Sequence, residues 1–143
     1  MRDVRTQLIS AFHWHSDPPV WPEHRIYYAD NSGWWREPTI LSEIGSALAT
    51  LFEEETSTVV MGPESRGSLL GPLVAMQLGV GFAEVRKEAD RASDDDVWLR
   101  RNTPPDYRDR QLEMAIRRSV LRTDDRVLPS SSTAWRTPLI GVR

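Results

Sequence analysis

Apolar residues recur every three or four positions in two segments near the N-terminus, residues 3–12 and 39–52. This spacing predicts two amphipathic helices, the second of them capped by Thr39. Residues 13–22 lie between the two helices, contain three prolines and predict a loop. Residues 25–36 are rich in aromatic side chains and predict a short extended segment followed by a turn.

The pattern changes to that of an α/β unit in the middle of the chain. Residues 56–62 (TSTVVMG) are apolar and β-branched, which predicts a buried strand. A turn at 63–67, a helix over 68–78 and a second strand over 79–86 follow. Because a helix joins the two strands, we expect a parallel pair within an α/β sheet.

The C-terminal part of the chain has a weaker pattern. Residues 87–106 show no periodicity and predict a long surface loop. Residues 108–119 alternate only in part between apolar and polar positions. Residues 126–128 predict the start of a further strand.

Composition and charge narrow the class of protein. The chain has 143 residues, 39% of them hydrophobic, and a formal net charge of −3, which is typical of a folded domain. It has no cysteine, so disulfides and thiolate metal sites are excluded. The longest nearly uncharged stretch, residues 67–82, is shorter than a membrane-spanning helix, and the N-terminus has no secretion-signal pattern. We therefore expect a cytoplasmic protein that binds neither membranes nor nucleic acid.

The turn at 63–67 carries the candidate chemistry. It leaves the carboxyl end of a predicted strand and enters the N-terminus of a helix, where free N–H groups and a partial positive charge attract anions. Ser65 and Arg66 are placed to hold an anion, and Arg86 and Lys87 end the next strand. We expect the side chains of these four residues to lie around one concave rim. The arrangement predicts a phosphate or pyrophosphate site, with an ordinary surface turn as the alternative.

Two other groups of side chains have both a functional and a structural interpretation. The histidines are metal-ligand types, but no carboxylate at a suitable spacing completes a site, so we expect solvated histidines and no metal centre. They are His13, His15 and His24. The early tryptophans favour packing against the core or its edge, with stacking on a purine base as the alternative. They are Trp14, Trp21, Trp34 and Trp35.

Residues 62–87, GPESRGSLLGPLVAMQLGVGFAEVRK, resemble the type I phosphoribosyltransferases, in particular the adenine branch. An acidic-x-Arg-Gly turn, a helix containing Leu-Gly and a strand ending in Arg-Lys carry the resemblance, which extends over roughly residues 58–128. It implies an α/β fold in which a parallel sheet, C-terminally incomplete, is flanked by helices beside a small N-terminal hood. The implied regions are a hood over 1–38, a core over 39–128 with a mobile loop at about 88–107, and an atypical tail over 129–143.

The resemblance also implies an activity. A 5-phosphoribosyl group would pass from phosphoribosyl pyrophosphate to a purine-like base, with pyrophosphate leaving. Mg²⁺ would accompany the phosphoribosyl pyrophosphate, and a homodimer is an open alternative to a single chain. No catalytic residue is assigned. The residues that match the pyrophosphate-contacting positions of the family are Ser65, Arg66, Gly67, Arg86 and Lys87.

The sequence departs from the family pattern after the strand predicted at 126–128. The family has two consecutive acids and a Thr-Gly-Gly type of loop there, which hold the ribose hydroxyls and the 5′-phosphate. This chain has Pro129 followed by three serines, and no acid follows Asp125. We therefore expect impaired transfer, and the alternative is a non-catalytic relative that binds pyrophosphate or a nucleotide, or acts only by association. A truncation or a shifted reading frame would account for such a tail.

Overall fold

Helices and strands alternate along this computed structural model, which describes residues 3–16, 27–87, 97–105 and 109–130. In chain order the elements are α1 (Val4–Ser10), β1 (His13–Ser16), β2 (Tyr27–Asp30), α2 (Ser32–Arg36), α3 (Pro38–Ala49), β3 (Val59–Pro63), α4 (Gly67–Leu78), β4 (Gly81–Lys87), β5 (Trp98–Asn102), β6 (Glu113–Arg117) and β7 (Val127–Pro129). Short 3₁₀ turns follow α3 at Thr50–Phe52 and β6 at Arg118–Val120.

The main sheet has the strand order β5-β6-β4-β3-β7. β3 pairs in parallel with β4, from Val59 opposite Gly81 to Pro63 opposite Val85, and also in parallel with β7. β6 and β5 extend the sheet beyond β4 as antiparallel strands. Because β3, β4 and β7 run in the same direction, their carboxyl ends meet at one end of the sheet. The parallel pair and the α/β class predicted from the sequence are confirmed.

Two helices, α3 and α4, pack together on one face of this sheet. A Cβ on Gly45 of α3 would lie 2.7 Å from the carbonyl oxygen of Leu73 in α4, so the close crossing of the helices depends on that glycine. Each fully buried valine or leucine in such a core contributes roughly 1.5–3 kcal/mol. The buried residues of this core are Ala49, Val60, Val74, Ala75 and Leu128.

The N-terminal residues form a small layer of their own. β1 and β2 pair as a two-stranded antiparallel sheet, with His13 opposite Asp30. α1 and α2 both contact α3. The indole Nε1 of Trp34 donates a hydrogen bond of 2.9 Å to the Leu8 carbonyl oxygen, which ties α2 to α1. The division of the chain into a hood, a core and a tail stays a prediction.

Two of the N-terminal predictions were wrong. The loop predicted over 13–22 contains β1, because its prolines come after the strand and do not interrupt it; residues 17–22 lie outside the described residues. The turn predicted at the end of 25–36 is the short helix α2. The Asp30 carboxylate accepts a hydrogen bond of 2.8 Å from the Ser32 N–H, which satisfies a free donor of the first helical turn.

Two further predictions were wrong in position or type. Thr39 is not the N-cap of α3, because Glu37 precedes the helix and Pro38 is its first residue. Proline suits that position, since it has no N–H to satisfy and its φ is already helical. The long loop predicted over 87–106 contains β5, which pairs with β6 across five residues. Four of the five residues of β5 are exposed, so its sequence has no alternation of apolar and polar residues. The strand forms because it pairs with β6.

Candidate functional site

The loop between β3 and α4 lies at the end of the sheet where β3, β4 and β7 finish. It consists of Glu64, Ser65 and Arg66, and α4 begins at Gly67. The peptide bond between Glu64 and Ser65 is cis. The Arg66 carbonyl oxygen accepts the first helical hydrogen bond, 3.1 Å from the Leu70 N–H. The Leu69 N–H donates to the same oxygen, so the first-turn N–H groups of Gly67 and Ser68 remain available at this end of the sheet.

Two glycines let α4 approach the end of β3 closely. A Cβ on Gly62 would overlap the carbonyl oxygen of Gly67 and lie 2.6 Å from Ser130 Oγ. A Cβ on Gly67 would lie 2.6 Å from Cδ of Pro63 and 2.9 Å from the carbonyl carbon of Gly62. Since most of these atoms belong to the backbone or to a proline ring, they cannot move aside as a flexible side chain would. Glycine at both positions fixes the helix N-terminus against the strand end.

Glu64 joins the loop to the end of β4. Its N–H donates a hydrogen bond of 2.9 Å to the Val85 carbonyl oxygen, so strand pairing continues one residue past β3. Its Oε2 accepts a hydrogen bond of 2.9 Å from the Lys87 N–H, and its Oε1 lies 3.3 Å from Arg86 Nε. The carboxylate therefore links the predicted loop directly to the predicted Arg-Lys pair.

These contacts hold the pKa of the Glu64 carboxyl below its ordinary value. The hydrogen bond from the Lys87 N–H is the main cause. Desolvation opposes it, and the hydrogen bond and charge of Arg86 and the charge of Lys87 add smaller lowering effects. Glu64 is therefore ionised at neutral pH and offsets part of the positive charge at this end of the sheet.

The structure puts Arg86 and Lys87 on opposite faces of the sheet. Side chains alternate along a strand, and Phe82 packs on the helix-covered face whereas Ala83 belongs to the cluster on the other face. Arg86 therefore shares the helix-covered face with Glu64, and the Lys87 side chain points to the other face. Lys87 reaches the loop through its backbone N–H. The expectation that all four side chains line one rim is therefore wrong for Lys87, because side chains alternate along β4.

The side chains of Ser65 and Arg66 are exposed, and Gly67 is buried. Among the ion pairs of the described residues, none involves the Arg66 guanidinium or the Lys87 ammonium. The Arg66 guanidinium therefore remains available beside this loop for an anion from solution, whereas the Lys87 ammonium lies on the other face of the sheet.

Ser130 brings the third strand end to the same place. Pro129 is the last residue of β7, opposite Met61, and the Ser130 N–H donates a hydrogen bond of 2.8 Å to the Met61 carbonyl oxygen. Ser130 Oγ lies 3.5 Å from the carbonyl oxygen of Gly67. The first two residues of the predicted tail thus continue along β3; residues 131–143 lie outside the described residues.

Asp125 is at the other end of the sheet, before β7. Its Oδ1 accepts a hydrogen bond of 2.8 Å from Thr58 Oγ1, and its Oδ2 accepts one of 2.7 Å from the Arg122 N–H. These hydrogen bonds hold the pKa of Asp125 below its ordinary value, and the one from the Arg122 N–H has the larger effect. The carboxylate is committed to joining the amino ends of β3 and β7, as its place before the strand predicts.

The residues around the loop do not fit a resident Mg²⁺. This ion prefers carboxylate and water oxygens, and the described part of the chain has no group of three metal-ligand side chains. The nearby carboxylate, Glu64, is already bound to Arg86 and Lys87.

The aromatic and histidine side chains lie in the N-terminal layer. Phe12 contacts both Trp14 and Trp34, with ring centroids 5.3 and 6.2 Å apart. Trp34 also contacts Trp35, so these rings contact each other, and Trp14 is largely exposed. His15 Nε2 lies 3.0 Å from Asp30 Oδ2. Trp21 and His24 lie outside the described residues. An open cleft of about 690 Å³ between α1, α2 and α3 includes none of the predicted pyrophosphate residues.

Sequence reasoning missed the role of Glu64 as the link between the two basic segments. A signal was present, because an acid directly after a buried strand stands beside the Arg-Lys pair that ends the parallel neighbour. The face that Lys87 occupies could have been read from strand alternation, but only once the register of β4 was known.

Curated proteins match about half of the chain. No protein-family model matches. An adenine phosphoribosyltransferase of Natranaerobius thermophilus is 37% identical over 71 residues, covering 50% of this chain and 42% of that protein. One of a Nocardioides species is 38% identical over 76 residues, covering 50% and 41%. The chain thus spans less than half the length of these relatives.

Solved structures agree over more of the chain. Adenine phosphoribosyltransferase from Saccharomyces cerevisiae, complexed with adenine and an imino-altritol bisphosphate, has a TM-score of 0.70 and 25% identity, covering 88% of this chain and 69% of that one. The enzyme from Rhodothermus marinus has a TM-score of 0.67 and 28% identity, covering 88% and 67%. The fold and the loop place this chain among relatives of the type I phosphoribosyltransferases. Within that family, its relatives are adenine phosphoribosyltransferases, so it is related to the adenine branch.

None of the helices in the described part of the chain has the length and apolar character needed to cross a membrane.

Proposed function

We propose that the loop 64–67 binds the pyrophosphate group of phosphoribosyl pyrophosphate. The observation that supports this most is the anchored loop itself, which brings a helix N-terminus, Arg66 and Arg86 to one end of the sheet. Backbone N–H groups and guanidinium groups are the donors that phosphate oxygens favour. Ser65 and Gly67 would contribute backbone N–H groups. The Lys87 side chain, on the other face of the sheet, would add positive charge near the end of β4.

For the reaction, we propose transfer of a 5-phosphoribosyl group to adenine, because the relatives of this chain are adenine phosphoribosyltransferases. Mg²⁺ would enter with the phosphoribosyl pyrophosphate. In residues 1–143 we expect this transfer to be weak. Positioned groups must hold the ribose while its bond to pyrophosphate breaks, and serines follow Pro129 directly where the family pattern has its acids.

The second candidate function is binding without catalysis. Ser130 stands at the carboxyl end of β7, where the family pattern leads into its acid pair, and a neutral hydroxyl lacks the negative charge with which a carboxylate holds the ribose hydroxyls or Mg²⁺. A chain of this kind would hold pyrophosphate or a nucleotide and release it unchanged.

The experiment that tests both candidates uses the purified chain of 143 residues. Phosphoribosyl pyrophosphate with Mg²⁺ is titrated calorimetrically, and conversion of radiolabelled adenine to its nucleotide is followed in parallel. Saturable binding with little or no conversion is the expected result. Conversion well above a sample without protein would show that the chain is an active transferase. Absence of binding would contradict the proposed site.

A further inference from the structure

Glu64 is an acid within the site proposed for a highly charged anion. A carboxylate near pyrophosphate is unfavourable in itself, because like charges repel. The side chain is about 30% exposed and ionised at neutral pH, so its charge is not removed by burial. Its presence there needs a reason other than charge.

The contacts of Glu64 supply that reason. Its N–H and its two carboxylate oxygens bind three successive residues of β4: the Val85 carbonyl oxygen, Arg86 Nε and the Lys87 N–H. A carboxylate on Arg86 Nε occupies one side of the guanidinium. The two Nη groups of Arg86 remain as donors, and no other described residue forms a hydrogen bond with them. Two Nη groups in one plane match a pair of phosphate oxygens.

We propose that Glu64 is a positioning residue that anchors the loop to the end of β4 and directs the Nη groups of Arg86 toward the pyrophosphate. This inference rests on the proposed function of the loop. Glu64 itself does not touch the anion; it acts through Arg86 and through the backbone of Lys87.

Charge and positioning predict opposite effects when Glu64 loses its charge. If only charge mattered, Glu64→Gln would tighten pyrophosphate binding, because it removes a like charge. If Glu64 directs Arg86, the same substitution weakens binding. Glu84 provides a matched control, since it lies on the same strand and the same face two residues before Arg86 and is exposed. The described residues form no ion pair with Glu84.

The first measurement is calorimetric titration with pyrophosphate. We expect Glu64→Gln to weaken binding about three- to tenfold, as for loss of a partly exposed charged contact, and Glu84→Gln to leave it unchanged or slightly tighter. In an Arg86→Ala background, Glu64→Gln should cause little further loss, because the two residues act as one unit. Equal or tighter binding by Glu64→Gln, or an equal loss in both backgrounds, would overturn the proposal.

The second measurement is made without a ligand, by NMR. Glu64→Ala should speed exchange of the Lys87 amide hydrogen and shift the Arg86 Nε–H resonance, whereas Glu84→Ala should change neither. Unchanged signals in Glu64→Ala would overturn the proposal even in a protein that binds pyrophosphate. Conversely, if the wild-type chain does not bind pyrophosphate, the proposed function fails and these signals still report whether Glu64 anchors Arg86.

Discussion

Single residues decide how closely the parts of the proposed site approach each other. Gly62 and Gly67 touch through their backbones, which is how the N-terminus of α4 comes to lie at the end of β3. Glu64 then attaches the intervening loop to β4 through its backbone and both carboxylate oxygens. Two residues without side chains and one acid therefore account for the position of the loop.

This close approach predicts a difference between two glycines. Gly62→Ala should lower the free energy of unfolding by about 1–3 kcal/mol, since the added methyl group overlaps a neighbouring backbone. Gly81→Ala, at the start of β4, should be neutral or slightly stabilising, because a Cβ there has no atom within 4 Å. Urea denaturation of both variants checks this. Equal unfolding midpoints for the two would show that α4 does not pack on β3 as described.

At the scale of elements, the sequence predicted the central unit well and the outer strands poorly. The β3-α4-β4 unit follows from long apolar runs separated by a glycine-bounded turn, and its bounds agree within about three residues. β1 and β5 are short, and nearly all of their residues are exposed. They form through pairing with β2 and β6, and local periodicity carries no information on such partners.

The sequence also predicted the candidate site only in part. Its loop and Arg-Lys pair follow from the order strand, turn, helix, strand, and this order brings them to one end of the sheet. The hydrogen bond from the Lys87 N–H to Glu64 depends on the register of β3 and β4, whose paired residues are 22 positions apart in sequence. Only the folded structure fixes that register.

The N-terminal hairpin and α2 share one carboxylate, and this predicts a titration. Hydrogen bonds from the side chain and N–H of Ser32, aided by His15, lower the pKa of Asp30 to about 2. Because the folded pKa lies below the ordinary value, the ionised group stabilises the fold above about pH 4. That contribution is lost as the pH falls toward 2. The Ser32 amide resonance should therefore titrate with a midpoint near pH 2, and Asp30→Asn should abolish this titration. A midpoint near pH 4 would contradict the contact.

Across the whole molecule, the two ends of the main sheet have separate tasks. The carboxyl ends of β3, β4 and β7 carry the proposed binding site. The amino ends of β3 and β7 are joined by Thr58 and Asp125, far along the strands from the loop. An acid at one end of the sheet therefore supports the fold, and basic groups at the other end are available to a ligand.

This separation predicts that Asp125→Asn affects stability and not binding. The variant keeps the shape of the side chain but has one acceptor oxygen and no charge, whereas both carboxylate oxygens of Asp125 accept hydrogen bonds, from Thr58 Oγ1 and from the Arg122 N–H. We expect a lower denaturation midpoint at pH 7 and an unchanged dissociation constant for pyrophosphate. The difference in midpoint should shrink in acid, because the depressed pKa of Asp125 stabilises the fold only while the group is ionised. A change in pyrophosphate affinity with an unchanged midpoint would reverse the assignment.

The most direct test of the proposed pyrophosphate site is calorimetric titration of pyrophosphate into the wild-type chain, Arg66→Ala and Arg5→Ala. Arg66 is an exposed loop residue beside the helix N-terminus, so its removal should leave the fold intact. Arg5 is an exposed arginine of α1 and controls for loss of one positive charge. We predict that Arg66→Ala weakens binding by about 1.5–3 kcal/mol, as expected for hydrogen bonds to a charged group, and that Arg5→Ala binds like the wild type. Equal affinity of Arg66→Ala and the wild type would contradict the assignment of this loop to pyrophosphate.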